Sequence, residues 1–201
     1  MTRVVPSGPN AWLVECADPV GFLATVTANP SPVDIVDVVP AARTVLVTLA
    51  DRRQRLAARD WLADLTPAAV AVSGAKTVEI PVRYDGEDLV DVAAATGLSV
   101  DEVVARHTGA EYVSAFCGFV AGFAYLTGVD PALQLPRRAT PRTRVLAGSV
   151  AIAAEYAAVY PSVSPGGWHL LGRTELTLWD LDRSPPAVLA PGTVVRFVAV
   201  S

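Results

Sequence analysis

The chain has 201 residues, 52% of them hydrophobic, and a formal net charge of -4, enough for one large domain or two small ones with real cores. The acidic balance excludes the globally basic surface by which nucleic acid is usually held. No apolar run approaches the ~20 residues of a membrane span, and "MTRVVPSGPN" lacks the apolar stretch of a signal peptide, so a cytoplasmic chain without nucleic-acid or membrane partners is expected.

In the first third, "AWLVECA" and "VDIVDVVPA" have strand patterns, and Pro19 to Ala28 between them fits a short helix. "TVLVTLA" follows almost at once, which predicts a hairpin around Ala42 and Arg43 with Val45, Val47 and Leu49 on one face. In "DRRQRLAARDWLADL", Asp51 can cap a helix on which Ala58, Trp61, Leu62 and Leu65 recur at i, i+3, i+4 and i+7. With "AVAV" as a last strand, residues 1–75 read β-α-β-β-α-β, the split βαβ or ferredoxin-like order.

Pro67 and Gly74 punctuate the junction "TPAAVAVSGA", and a second domain is expected over 76–201. It begins with a strand, "VEIPVRY", and two short helices, the second opening on a capping box between Ser99 and Glu102. Then Gly and Pro break the chain into short strands, among them "SVAIAA", "WHLLG", "ELTLWD" and "TVVRFVAV", a spacing that points to a closed or nearly closed β-barrel. The predicted class is α+β.

Few residues are equipped for chemistry. Lys76 is the single lysine, and "SGAKT" lacks the Gly-Lys pair of a phosphate-binding loop. Cys16 and Cys117 have no second ligand at metal spacing and read as buried thiols, although a dyad of Cys117 with His107 stays open. His107 and His169 are the two imidazoles, which leaves no multi-histidine zinc site. His107, near a helix end, either interacts with the helix dipole or moves a proton; His169 alternates with Trp168 and Leu170 on a strand and faces solvent or a cleft.

"PRRATPRTR" places Arg137, Arg138, Arg142 and Arg144 in an extended loop, suited to a carboxylate or phosphate, or else simply to solvent or a partner surface. In "SPGGWHLLGRT", Pro165 sets a turn, Gly166 and Gly167 allow close backbone approach, and Trp168 starts a strand. Either a packed turn or a loop presenting N–H groups and Arg173 satisfies that pattern.

"HTGAEY", "GFVAGFAYLTGVD", "LPRRATPRTRVLAGSVAIA", "VYPSVSPGGWHLLGRT" and "LTLWD", with "AWLVE" and "VVPAARTVLV" before them, resemble the successive motifs of the allophanate hydrolase subunit 1 family. That family includes the PxpB subunit of bacterial 5-oxoprolinase and the kinase inhibitor KipI. The resemblance implies a ferredoxin-like domain followed by a cyclophilin-like β-barrel, and a heterodimer partner of the PxpC or KipA type. It further implies a PxpA-type subunit and ATP-dependent opening of 5-oxoproline to glutamate, with ATP held by the complex and no metal in this chain. Inhibition of a sensor histidine kinase, or carboxyl transfer to a urea-like amide with a biotin-bearing partner, are the alternatives it carries.

On the matching motif positions the resemblance implies His107 and Arg173 as catalytic residues. It implies Tyr112, Tyr125, Arg142, Arg144, Ser164, Gly166, Gly167, Trp168 and Thr174 as substrate-binding residues. The chain departs from the family at Ala121 and Ala124, where relatives carry prolines. It departs again where relatives read Gly-x-Gln-Thr-Gly and this chain has Ala154, Tyr156, Ala157 and Ala158; Gln and Thr would supply an amide and a hydroxyl to a substrate, and Ala157 supplies neither.

Overall fold

A computed structural model describes residues 2–67 and 76–201, which fall into two units, Met1–Gly74 and Ala75–Ser201. In the first, β1 (Arg3–Pro6), β2 (Ala11–Glu15), β3 (Ile35–Pro40) and β4 (Thr44–Leu49) form an antiparallel sheet in the order β1-β2-β4-β3. Helix α1 (Pro19–Ala28) follows β2. Its start is fixed by the Asp18 carboxylate, which accepts from Gly21 N, and by Pro19 at the first turn. A 3-10 turn, Arg52–Gln54, capped by Asp51, runs into α2 (Arg55–Asp64).

The expected hairpin is present, with Pro40 opposite Val45, and Val45, Val47 and Leu49 are fully buried with Trp12, Val14, Phe22, Ala58 and Leu62. The strand expected at "AVAV" lies outside the described residues. The edge beside β2 is paired instead by Arg3–Pro6, a strand too short and too near the first residue to show as an alternating run.

In the second unit, β5 (Thr77–Val82) leads to α3 (Leu89–Thr96) and α4 (Val100–Gly109), and the Ser99–Glu102 capping box is formed as expected. The strands that follow are β6 (Tyr112–Cys117), β7 (Ala124–Thr127), β8 (Arg142–Val145), β9 (Ser149–Ala153), β10 (Tyr156–Val159), β11 (Ser164–Gly166), β12 (His169–Arg173) and β13 (Val194–Ala199). Six of them and β5 make one sheet, β12-β9-β10-β7-β6-β13-β5, antiparallel except for the β13–β5 pair; β8 and β11 form a separate ribbon. "ELTLWD" is not a strand. It makes one isolated bridge, Trp179 to Ala187, flanked by Asp180 N to Pro186 O and Val188 N to Leu178 O, and Leu176 N turns back to Thr174 Oγ1.

The two edges of the sheet meet at a seam. Arg83 and Arg173 exchange both backbone hydrogen bonds at 2.9 Å, and beyond them Gly86 N and Asp88 N donate to Leu171 O and Leu170 O, each at 3.1 Å. Side chains are excluded from this approach: a Cβ at Gly172 would run into the Arg83 carbonyl, and one at Gly86 into the Leu170 carbonyl.

β9 and β10 are buried on both faces, which explains their unbroken apolar sequence. Val150, Ile152, Ala157 and Val159 face one core with α3 and α4, while Ala151, Ala153, Ala158 and Tyr160 face a second, aromatic-rich core with Phe123 and Trp168. The turn between the strands holds Ala154 at φ 48, a left-handed conformation that costs an L-residue ~1–2 kcal/mol. Ala154→Gly should therefore stabilise the chain by about 0.5–1 kcal/mol in a urea titration, allowing for the extra freedom of glycine when unfolded. Gly172→Ala should open the seam and destabilise by ~2–3 kcal/mol in the same assay.

Candidate functional site

Asp88 is the point at which the loop with four arginines is fastened to the barrel. It sits at the start of α3, 1% exposed. Its Oδ2 accepts from Leu170 N on β12 at 2.8 Å. Its Oδ1 accepts from Arg142 Nη2 at 2.7 Å and from Arg138 Nη1, while Arg142 Nε also reaches the exposed Glu87 at 3.2 Å. Burial works to raise the Asp88 pKa, but the hydrogen bonds from Arg142 and Leu170 and the two guanidinium charges outweigh it and hold the carboxyl below the usual carboxylate range.

The same loop is pinned by backbone contacts. His169 Nε2 lies 2.8 Å from Pro136 O, and Arg138 N donates to Gly167 O at 2.8 Å. Between these anchors Arg137 is exposed, its guanidinium 5.8 Å from the centre of the Trp168 ring, within range for a cation-π contact.

Arg137 and Trp168 belong to a small cleft of about 80 Å³, which is lined also by Phe119, Phe123, Tyr125, Tyr160 and the Pro165–Gly167 backbone. Its aromatic walls interlock edge to face: Phe123 meets Tyr125, Tyr160 and Trp168 at 5.1, 5.3 and 5.6 Å between ring centres. Behind Tyr125, Phe116 stacks at 4.3 Å, and Tyr156 packs edge-on against both. Phe119 is 58% exposed with φ 70. A large side chain held exposed on strained backbone is more characteristic of a binding lip than of a core.

The residues expected from sequence are distributed over several places. Tyr125, Gly166, Gly167 and Trp168 come together in this cleft. Arg173 and Thr174 line a different hollow with Pro81, Arg83, Glu175 and Val200, and Arg173 pairs with Asp85 at 2.8 Å. Arg142 is engaged by Asp88 rather than facing a ligand, Arg144 is exposed on β8, and Ser164 is buried on β11.

His107 and Tyr112 lie in the core. His107 is fully buried, with Nδ1 2.7 Å from the Tyr84 hydroxyl and its ring 4.4 Å from that of Phe197; the Tyr112 hydroxyl donates to His107 O. Burial pushes its pKa down to about 3. A neutral imidazole closed off in this way is placed as a packing residue, with no surface at which a substrate could exchange a proton.

Cys117, half-buried, donates weakly to Leu189 O, and burial raises its pKa. Asp88, Phe119 and Phe123 were not singled out by sequence, and Arg137 stood there only as one of four loop arginines. Nothing local marks Asp88, whose side-chain partners Arg138, Arg142 and Leu170 lie 50, 54 and 82 residues away, and the two loop anchors that select Arg137 from its neighbours come from distant residues.

These features define an α+β protein whose second unit is a barrel bearing a small aromatic cleft beside a clamped arginine loop. The chain belongs to the family described as carboxyltransferase domain, subdomain C and D, which matches residues 2–189. Among curated relatives, the B subunit of 5-oxoprolinase from Escherichia coli O157:H7 is 50% identical over 124 residues, 60% of this chain and 57% of that protein. The protein of the same name from Bacillus subtilis (strain 168) is 44% identical over 129 residues, 63% of this chain and 54% of that one. The chain thus spans little more than half the length of the curated relatives it matches.

Among solved structures, TTHA0988 superposes with a TM-score of 0.78 at 36% identity, over 100% of this chain and 40% of the other. The conserved uncharacterized protein PH0987 from Pyrococcus horikoshii gives 0.61 at 34% identity, covering 99% and 98%. The K. lactis urea amidolyase gives 0.73 over 100% of this chain and 15% of its own, but at 18% identity it bears on the fold alone.

Because His107 stays neutral in the folded chain while an unfolded histidine takes up a proton below about pH 6.5, stability should fall as pH drops from about 6.5 towards 3. The slope contributed by this residue should approach about 1.4 kcal/mol per pH unit. Urea unfolding across that range should show His107→Gln less stable at pH 7 but with a flatter dependence on pH.

Proposed function

We propose that this chain is a non-autonomous subunit of an ATP-dependent amide hydrolase that opens 5-oxoproline, or a closely similar small lactam, in a complex with a PxpC/KipA-type partner and a PxpA-type subunit. The observation that carries this reading is the family membership joined to 44–50% identity with proteins named as the B subunit of 5-oxoprolinase. The fold also occurs as 40% of TTHA0988 and 15% of the urea amidolyase, which fits a unit that works beside further polypeptide.

The cleft supports a small planar substrate. Phe123, Tyr125 and Trp168 offer ring faces and edges, and the Gly166–Gly167 backbone allows close approach. An unactivated lactam resists water, so coupling to ATP would activate its carbonyl oxygen as a phosphate ester before water attacks. In this reading the nucleotide is a co-substrate of the complex, while this chain binds and orients the lactam. Where relatives carry a Gln and a Thr, Tyr156 adds an aromatic edge and Ala157 is fully buried in the core, so recognition falls to the cleft and its arginine.

The test is release of glutamate from 5-oxoproline by the purified chain mixed with its candidate partners and ATP, compared with omission of each component. Activity that disappears when this chain alone is left out is expected. Full activity without it, or none from a folded three-part complex, would overturn the reading. Trp168→Phe, which preserves most of the apolar contact but shrinks the ring, should raise KM about tenfold in the same assay, the weight of ~1.4 kcal/mol of lost aromatic contact.

A further inference from the structure

Four arginines crowd one loop, and the structure separates them by what each already holds. Arg138 and Arg142 converge on one buried carboxylate, Asp88. Arg144 is exposed on β8, away from the residues that line the cleft. Arg137 lines the cleft, is exposed, has no ion-pair partner among the described residues, and lies over the Trp168 ring. A guanidinium 5.8 Å from an indole centre and without an ion-pair partner among the described residues still has N–H donors to offer, and that fork fits a carboxylate.

Electrostatics favours the same ligand. Three guanidinium groups, Arg137, Arg138 and Arg142, share this part of the barrel with one buried carboxylate, Asp88, and the exposed Glu87. Positive charge is therefore in excess beside walls that are aromatic and poorly solvated, where an anion is attracted more strongly than in water. Among the described residues neither Arg138 Nε nor Arg142 Nη1 has a hydrogen-bond partner, and both are shielded from solvent; of the three arginines, Arg137 is the one that lines the cleft.

We infer that Arg137 selects ligands carrying a carboxylate for this cleft, and that Asp88 is the positioning residue that holds it there through Arg138 and Arg142. The inference rests on the reading of the cleft as a substrate site. Asp88 touches no ligand. It fixes Arg138, the neighbour of Arg137, to the strand that begins just after Trp168. Without that charge, two guanidinium groups brought to the same point would repel, and the loop would be left with its anchors at Pro136 O and Arg138 N and the exposed Arg142–Glu87 contact.

In the reconstituted complex, Arg137→Ala should raise KM for 5-oxoproline at least tenfold and act on KM more than on kcat, with Arg137→Lys restoring part of the loss. Asp88→Asn should raise KM to a similar extent, and the double variant should be no worse than Arg137→Ala alone. Unchanged KM in Arg137→Ala, or losses that multiply in the double variant, would overturn the assignment.

A second measurement does not depend on turnover. In the full chain labelled with 15N-arginine, the Arg137 side-chain resonance should be shifted by the Trp168 ring current, lose that shift in Asp88→Asn and in Arg138→Gln, and respond to 5-oxoproline but not to 2-pyrrolidinone, the same ring without the carboxylate. Equal response to both compounds, or a shift retained in both variants, refutes the inference. If the complex opens no lactam at all, the proposed function fails while the resonance and the two titrations still decide this point.

Discussion

A buried carboxylate that accepts from two arginines and a backbone N–H is the constraint around which the barrel unit is arranged. Asp88 is withdrawn from water, and such a charge persists only if opposite charges and donors replace its hydration. Meeting that demand draws three distant segments together: the start of α3, the arginine loop, and β12 at Leu170. The same residue closes the seam through its backbone N–H to Leu170 O. Closure of the sheet and placement of the loop are thus two outcomes of one residue's requirements, and the aromatic cleft lies beside the strand that both of them fix.

The second determinant is the sheet packed on both faces at β9 and β10. Small residues dominate there because each face must fit against a separate core. Ala158 and Ala153 leave room for Phe123, Tyr160 and Trp168 on one side, and Ala157 lies against the helix-covered side on the other. Polar groups at such positions need partners inside the core. The closed positions after the turn accordingly carry alanines, Ala157 and Ala158, and the partly open one carries Tyr156.

Much of the fold was legible from local pattern. Alternation in "TVLVTLA", the Asp51 and Ser99 caps, and the Gly and Pro punctuation after residue 117 each encode an element within a few residues of sequence. "ELTLWD" failed because alternation does not report how long the pairing is, and the segment opposite it, residues 186–188, supplies a single bridge. Arg3–Pro6 was missed because four residues carry too little periodicity. Motif position brought Tyr125, Gly166, Gly167 and Trp168 to one cleft. It separated poorly the arginines that bind from those that brace, since Arg142 and Arg137 differ in the carboxylate each meets across the fold and not in their neighbours along the chain. His107 shows the same limit: its sequence setting is that of a helix end, whereas its burial is decided by Tyr84, Tyr112 and Phe197, which come from three other segments.

The placement of β13 has a consequence for how the molecule is made. This strand, the last in chain order among the described residues, lies inside the sheet between β6 and β5, and among those residues β5 has no other strand partner except at the seam. During synthesis the β5 segment emerges more than a hundred residues before β13 does, so it must wait with its hydrogen-bonding edge unmatched. The first unit, whose described sheet is complete by Leu49, can assemble as soon as it is translated. The barrel unit is then the slow and exposed stage of folding, and β13 is the piece that ends that exposure.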